Sequence, residues 1–179
     1  MSLREPQFHD DLVNFRLKRL ASLGGAPAVR LCEGEFGLPR LEWRLLAALV
    51  EHGSNRPTAL ARTQGVEQAR ASRALTSLAD KRLVSRQVDA LDARRATVAA
   101  TAAGVRLYRR LFPRLAQINV RLLDVLDDKE LASFEACLDK LTRNAAGVLA
   151  AAGHGGPKAE RRNGGSRRIW DRSGHQNAA

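Results

Sequence analysis

What this sequence lacks narrows its chemistry before any pattern is read. It has two cysteines in 179 residues, Cys32 and Cys137, far apart and in no CxxC pair. Two lone thiols fit a reducing compartment better than a disulfide framework. Their neighbours point to structural roles rather than a reactive thiolate: Glu33 and Glu35 offset Arg30 around Cys32, and Cys137 falls in an apolar-striped stretch. The four histidines, His9, His52, His154 and His175, are scattered, and only His9-Asp10-Asp11 groups ligand-type residues, so no metal site is expected. Phosphate loops, nucleophile elbows and carboxylate pairs set in a turn are absent, which argues against an enzyme and against a resident cofactor. The stretch MSLREPQFHDD has no apolar signal core, and no apolar run approaches the length of a membrane span. A soluble, cytoplasmic protein with no membrane partner is expected.

Aromatics are also few: five Phe, two Trp and one Tyr make 4% of the chain. Leu and Ala dominate instead, which favours helices over a β-sandwich. Acidic residues are outnumbered, 19 against 30 Lys+Arg, for a formal charge of +11. Such a surface suits a polyanion, either nucleic acid or an acidic membrane, and the placement of charge discriminates. From Gly53 to Ala100 there are nine Lys/Arg and four Asp/Glu, and from Ala151 onward six and two. The excess lies in one central module and in the tail.

That module is PTALARTQGVEQARASRALTSLADKRLVSRQVDALDARRATVAAT, residues 57–101. Pro57 is placed to start a short helix through Arg62, Gly65 permits a sharp turn, and a second helix follows from about Glu67 to Lys81. On that second helix Ala71, Ala74, Leu75 and Leu78 share a side and should pack inward. Ala69, Ser72, Arg73 and Thr76 point the other way, with Arg70 and Ser77 at the flanks. The exposed face has hydroxyls, small residues and arginine forks, with no large apolar group, as a helix in a major groove requires. Extended segments Leu83–Asp89 and Arg95–Thr101 then form a hairpin. Arg86 opens it, and Asp92, Arg94 and Arg95 lie at or beside its tip. Asp92 holding Arg94 extended would present a guanidinium to a minor groove; the plainer alternative is a solvated surface pair.

The rest of the chain reads as support. Residues 1–10 form a flexible arm. A helix over Asp11–Leu23 has Val13, Leu17 and Leu20 on one face; Gly24, Gly25 and Pro27 should end it, and a short second helix spans about Ala28–Glu33. LPRLEWRLLAALVEHG is a core helix from near Pro39 to Gly53, with Trp43 most simply a core aromatic. Beyond Thr101, a candidate helix cap, Leu107, Leu111, Leu115, Ile118, Leu122 and Val125 recur every three or four residues. Pro113 should kink or break this helix near Phe112. Asp127 and Asp128 mark a new start, and Leu131, Phe134, Leu138 and Leu141 continue the stripe. These helices carry more apolar face than one small module can cover, so pairing with a second copy is expected. The tail from Ala150 is rich in Gly and Arg, without periodicity, and reads as disordered.

The order of elements resembles the MarR family of bacterial transcription regulators over roughly Asp11–Ala146. The resemblance is carried by LPRLEWRLLAALVEHG, by TALARTQGVEQARASRALTSLADKRLV, and by the wing DALDARRATVAATAAG with Asp92-x-Arg94-Arg95 and Thr101-x-x-Gly104. It implies a mainly α winged helix-turn-helix fold divided as 1–10 arm, 11–36 N-terminal dimerisation helices, 37–101 DNA-binding region, 102–149 C-terminal dimerisation helices and 150–179 basic tail. It further implies a homodimer, a repressor more often than not, on a pseudo-palindromic site in double-stranded DNA, nucleoid-associated when bound. The DNA-contacting set would be Gln68, Arg70, Ser72, Arg73, Thr76, Arg86, Asp92, Arg94 and Arg95. Members often answer to aromatic or phenolic acids, for which Arg16, Arg19, Trp43 and Tyr108 are the candidates here. Each has a plainer alternative as solvated charge or packing. A competing reading is an architectural, sequence-independent DNA-binding protein that uses its Gly/Arg tail.

Overall fold

The computed structural model describes residues 3–87 and 96–152. Its elements run α1 (Val13–Arg30), a π-turn (Leu31–Glu35), α2 (Arg40–His52), α3 (Pro57–Thr63), α4 (Gln68–Asp80), β1 (Val84–Gln87), β2 (Thr97–Ala100), α5 (Ala102–Leu123) and α6 (Asp128–Ala152), with a 3-10 turn at His9–Asp11 ahead of α1. The fold is mainly helical with one small antiparallel hairpin, in which Val84 pairs with Ala100 and Gln87 with Thr97. Asn55 adds a bridge to Val98, exchanging backbone bonds of 3.0 and 2.9 Å.

α2 is the centre because it is apolar on several faces. Leu45, Leu46, Ala48 and Leu49 are buried, and the helix packs against α4, α5 and β2. Leu75 and Leu78 of α4, Val84 and Val98 of the hairpin, and Leu111 of α5 close around them. Each fully buried leucine contributes roughly 1.5–3 kcal/mol relative to exposure. Glu42 is the one charged residue described as buried in this core, and Lys81 meets it: Nζ donates to Glu42 Oε2 at 2.7 Å and to the Gly37 carbonyl at 2.8 Å. That clasp fastens the C-terminus of α4 to the N-terminus of α2 through a partly buried, hydrogen-bonded pair.

Four expectations about helix ends are corrected. α1 does not stop at Gly24; it runs unbroken through Gly24, Gly25 and Pro27 to Arg30, with no separate second helix. Gly24 serves packing, since a Cβ there would lie 2.8 Å from Leu122 Cδ2, and its absence lets α1 and α5 approach. Likewise α5 continues through Pro113 as one helix. A proline removes one intrahelical bond, and here both Pro113 and Arg109, whose carbonyl loses it, are exposed to water. At the N-terminus α1 begins at Val13, because the Asp11 carboxylate accepts from the N–H groups of Gln7 and Phe8 at 2.9 and 3.0 Å and ties residues of the arm into a turn. At the other end α6 extends to Ala152, past the boundary set at residue 150. Its start is as expected: Asp127 Oδ1 accepts from the N–H of Lys129 and Glu130, while Glu130 returns a bond to the Asp127 N–H at 3.0 Å.

Candidate nucleic-acid interface

The interface is built on two turns that the sequence makes cheap. α3 closes with the Gly65 N–H bonded to the Arg62 carbonyl and the Val66 N–H to the Ala61 carbonyl, with Gly65 at φ +58°. This paired motif needs a left-handed residue, which glycine supplies without strain. α4 closes the same way on Ala79 and Leu78, but the left-handed position is Arg82 at φ 59°. A non-glycine there is uncommon, and neighbouring bonds hold it: Thr101 Oγ1 donates to the Arg82 carbonyl at 2.8 Å and the Thr101 N–H to the Leu83 carbonyl at 3.0 Å. Thr101 also caps α5, accepting from the Gly104 N–H at 3.1 Å. Gly104 has no room for a side chain, because a Cβ would stand 2.2 Å from the Leu83 carbonyl oxygen. The hairpin base, the end of α4 and the start of α5 therefore meet at Thr101 and Gly104.

α4 buries Ala71, Ala74, Leu75 and Leu78 and exposes Gln68, Ala69, Arg70, Ser72, Arg73 and Thr76. Two arginines, an amide and two hydroxyls thus stand on one solvent face, with its N-terminal N–H groups uncapped by the Glu67 side chain. Arg86 on β1 leans onto this face, with Nη2 donating to Thr76 Oγ1 at 2.9 Å, while Thr76 donates to the Ser72 carbonyl at 3.1 Å. The expected contact residues of α4 and β1 are brought together. Asp92, Arg94 and Arg95 lie outside the described residues.

The suggested effector residues are brought together only in part. The Trp43 ring stacks on Tyr108 at 5.4 Å and 13°, and Tyr108 on Phe112 at 5.3 Å and 14°. The Tyr108 hydroxyl donates to Glu51 Oε1 at 2.7 Å. Burial, and then the Glu51 carboxylate, push the phenol up to about 12. Trp43 is half-buried and lines a cavity of about 320 Å³ between α1, α2 and α5, so it is both packing and wall. Arg16 and Arg19 line a separate shallow groove with Asp10 and Phe15. The cations on the Trp43 cavity are Arg40 and Arg44, the latter bonded to the Gln64 carbonyl at 2.5 Å. Sequence reasoning missed both because they sit beside Trp43 on the same helix, where they read as its solvated side. Their spacing of one and three residues from Trp43 was the available signal.

Cys32 is buried, and burial together with Glu33 raises its thiol pKa, which disfavours the thiolate. Cys137 is exposed on α6. Among the described residues no three His, Cys, Asp or Glu side chains group as metal ligands, and no helix is long and apolar enough to cross a membrane.

The MarR family model matches residues 36–95, which span α2, the two-helix unit and the first strand. No curated protein matches the chain in sequence. Among solved structures, a MarR family transcriptional regulator from Silicibacter pomeroyi is 29% identical at a TM-score of 0.64, over 75% of this chain and 90% of its own. BpsR of Bordetella bronchiseptica, described for the regulation of its DNA binding by 6-hydroxynicotinic acid, is 20% identical at a TM-score of 0.67, over 77% and 98%. MepR of S. aureus, in complex with DNA, is 22% identical at 0.64, over 72% and 96%. The last two show likeness of fold.

Proposed function

We propose, from the premise that this chain belongs to the MarR family of DNA-binding transcriptional regulators, that it acts as a homodimeric repressor on a pseudo-palindromic operator. One observation carries the reading: the exposed face of α4 holds Gln68, Arg70, Ser72, Arg73 and Thr76, and Arg86 of the hairpin is bonded into it. Arginine forks on a helix without apolar bulk suit guanine edges and phosphate oxygens, and the uncapped N–H groups at the start of α4 suit a phosphate. Asp92, Arg94 and Arg95 would extend the contact into the flanking minor groove.

A second copy is supported by apolar surface with nothing on it. No described side chain of α6 is buried, and Leu141, Val148 and Leu149 are exposed there, as are Phe112, Val120 and Val125 on and after α5 and Leu20 on α1. Pairing these helices about a two-fold axis would bury them and place the two copies of α4 one DNA turn apart.

The effector reading moves to the Trp43 cavity. Trp43, backed by its stack on Tyr108, offers an aromatic wall and Arg40 a carboxylate partner, so an aromatic carboxylate of the kind named for BpsR is the class that fits. Such a ligand releases or tightens DNA only by its differential affinity for two arrangements of the dimer.

The test is selection of bound duplexes from a random pool at near-physiological salt. A two-fold motif with half-sites about 10 base pairs apart is the expected result. On the selected site Arg73→Ala should weaken binding by about 1–3 kcal/mol. Recovery of duplexes without a motif would replace this reading with the architectural one.

A further inference from the structure

The alternation of β1 sets which way Arg86 faces. Val84 and Arg86 lie two residues apart in the strand and share a face, and Val84 is buried in the core that α4 closes. The exposed side chain of Arg86 is thereby directed along α4, where Nη2 donates to Thr76 Oγ1 at 2.9 Å. Thr76 is itself fixed, because its hydroxyl donates to the Ser72 carbonyl one turn back at 3.1 Å. Both residues stand on α4 and β1, not on α1, α5 or α6, whose apolar faces would pair with a second copy.

A threonine hydroxyl has one proton and two lone pairs. Here the proton goes to the backbone of α4 and a lone pair takes the guanidinium. Thr76 in this state has no donor to offer to a phosphate or to the acceptors of a major groove, N7 and O6 of guanine, N7 of adenine and O4 of thymine. Arg86 differs, since a guanidinium has several N–H donors in one plane, and holding one of them sets the angle of the fork. Thr76 lies two turns beyond Gln68, about 12 Å along α4. Base edges are met by the N-terminal residues of a helix in the groove, so the level of Thr76 corresponds to the groove's rim, where phosphates stand.

We propose that Thr76 is a positioning residue, which reads no base and holds the Arg86 fork against a phosphate at the rim of the groove that α4 enters. This rests on the reading of α4 as the DNA-contacting helix. A loose arginine gives up rotamer freedom when it binds, and one already held by Thr76 gives up less, so the hydroxyl adds affinity without touching DNA. The gain carries no sequence information, because a phosphate contact is the same on every duplex.

The experiment is a double-mutant cycle on the full chain, read by fluorescence anisotropy with two duplexes, one recovered by selection and a shuffled copy of it. Arg86→Ala should weaken both at least tenfold and lower the slope of log affinity against log salt by about one. Thr76→Val, which keeps the shape and removes the hydroxyl, should weaken both about threefold to fivefold. The double variant should bind within about twofold of Arg86→Ala, because the hydroxyl acts only through the arginine. Thr76→Ser, which keeps the hydroxyl, should stay within about twofold of the wild type. Selection repeated with Thr76→Val should return the same base preferences. Thermal unfolding establishes that each variant is folded, and Thr76→Ala replaces Thr76→Val where the latter is not. Losses that multiply in the double variant, a changed preference at any base, wild-type affinity in Thr76→Val, or an unchanged salt slope in Arg86→Ala would each overturn the assignment. Equal wild-type affinity for the two duplexes would instead count against sequence reading by α4 and leave the cycle readable, so the two fail separately.

Discussion

Tyr108 is the one tyrosine in the sequence, so its phenol can be followed by ultraviolet absorbance without interference from another. Burial and the bond to Glu51 raise it from 10.0 to about 12. A phenol raised on folding stabilises the fold in its neutral form. That contribution is fully present below pH 10 and is lost as pH rises towards 12. The titration midpoint should therefore lie near 12, and Glu51→Gln should lower it; a midpoint at the ordinary value would mean that the stack does not hold the ring. Gly104 is the other position where a single atom decides. Ala at 104 would drive its Cβ towards the Leu83 carbonyl, and the wing base would have to shift, costing about 1–3 kcal/mol or more by the usual scale of overpacking. Urea unfolding of Gly104→Ala measures this, and an unchanged midpoint would show that the backbone yields freely. Residue-scale chemistry was legible where the rule is local: Thr101 reads as a cap from its type and its place before a run of Ala and Gly, and it is one. Arg40 and Arg44 were not legible, because what they face depends on how α1 and α5 lie across α2.

Among the elements, α4 followed from periodicity alone, since four small or aliphatic residues at helical spacing have one way to be buried. Its core contact is testable. Leu75→Ala should cost about 2–5 kcal/mol, because the side chain is fully buried between α4 and α2 and deletion leaves a cavity. Denaturant midpoints give the value; a loss under 1 kcal/mol would indicate that neighbours collapse into the gap. α1 and α5 were misread for a common reason. Gly24, Gly25, Pro27 and Pro113 are stop signals when the helix is taken by itself, where nothing offsets their intrinsic cost. In the protein Gly24 admits Leu122, and Pro113 gives up a bond on a wet face, so tertiary packing outweighs propensity. No pattern in either segment announces a partner more than ninety residues away. The hairpin strands were legible where they are described, over Val84–Gln87 and Thr97–Ala100.

At the scale of the whole molecule, the apolar surface of α1, α5 and α6 is the largest unmet demand of the fold. Leu141→Glu should shift the chain from dimer to monomer in sedimentation velocity and weaken operator binding together with it. A charged variant that still sediments as a dimer would place the interface elsewhere. The clasp of Lys81 on Glu42 and Gly37, the joint at Thr101 and Gly104, and the bond from Arg86 to Thr76 all lie inside one protomer, and together they tie α4 and the wing base to α2 and α5. If the chain pairs as proposed, each half is a stiff reading head, and adjustment to DNA would come from the joint between heads. Inserting one base pair between half-sites turns one of them by about 34° about the duplex axis and moves it about 3.4 Å along it. A protein of this build can follow that displacement only by twisting at its helical stem. Tolerance of operators with altered spacing thus becomes a torsion gauge for the dimer itself, calibrated by the pitch of the DNA.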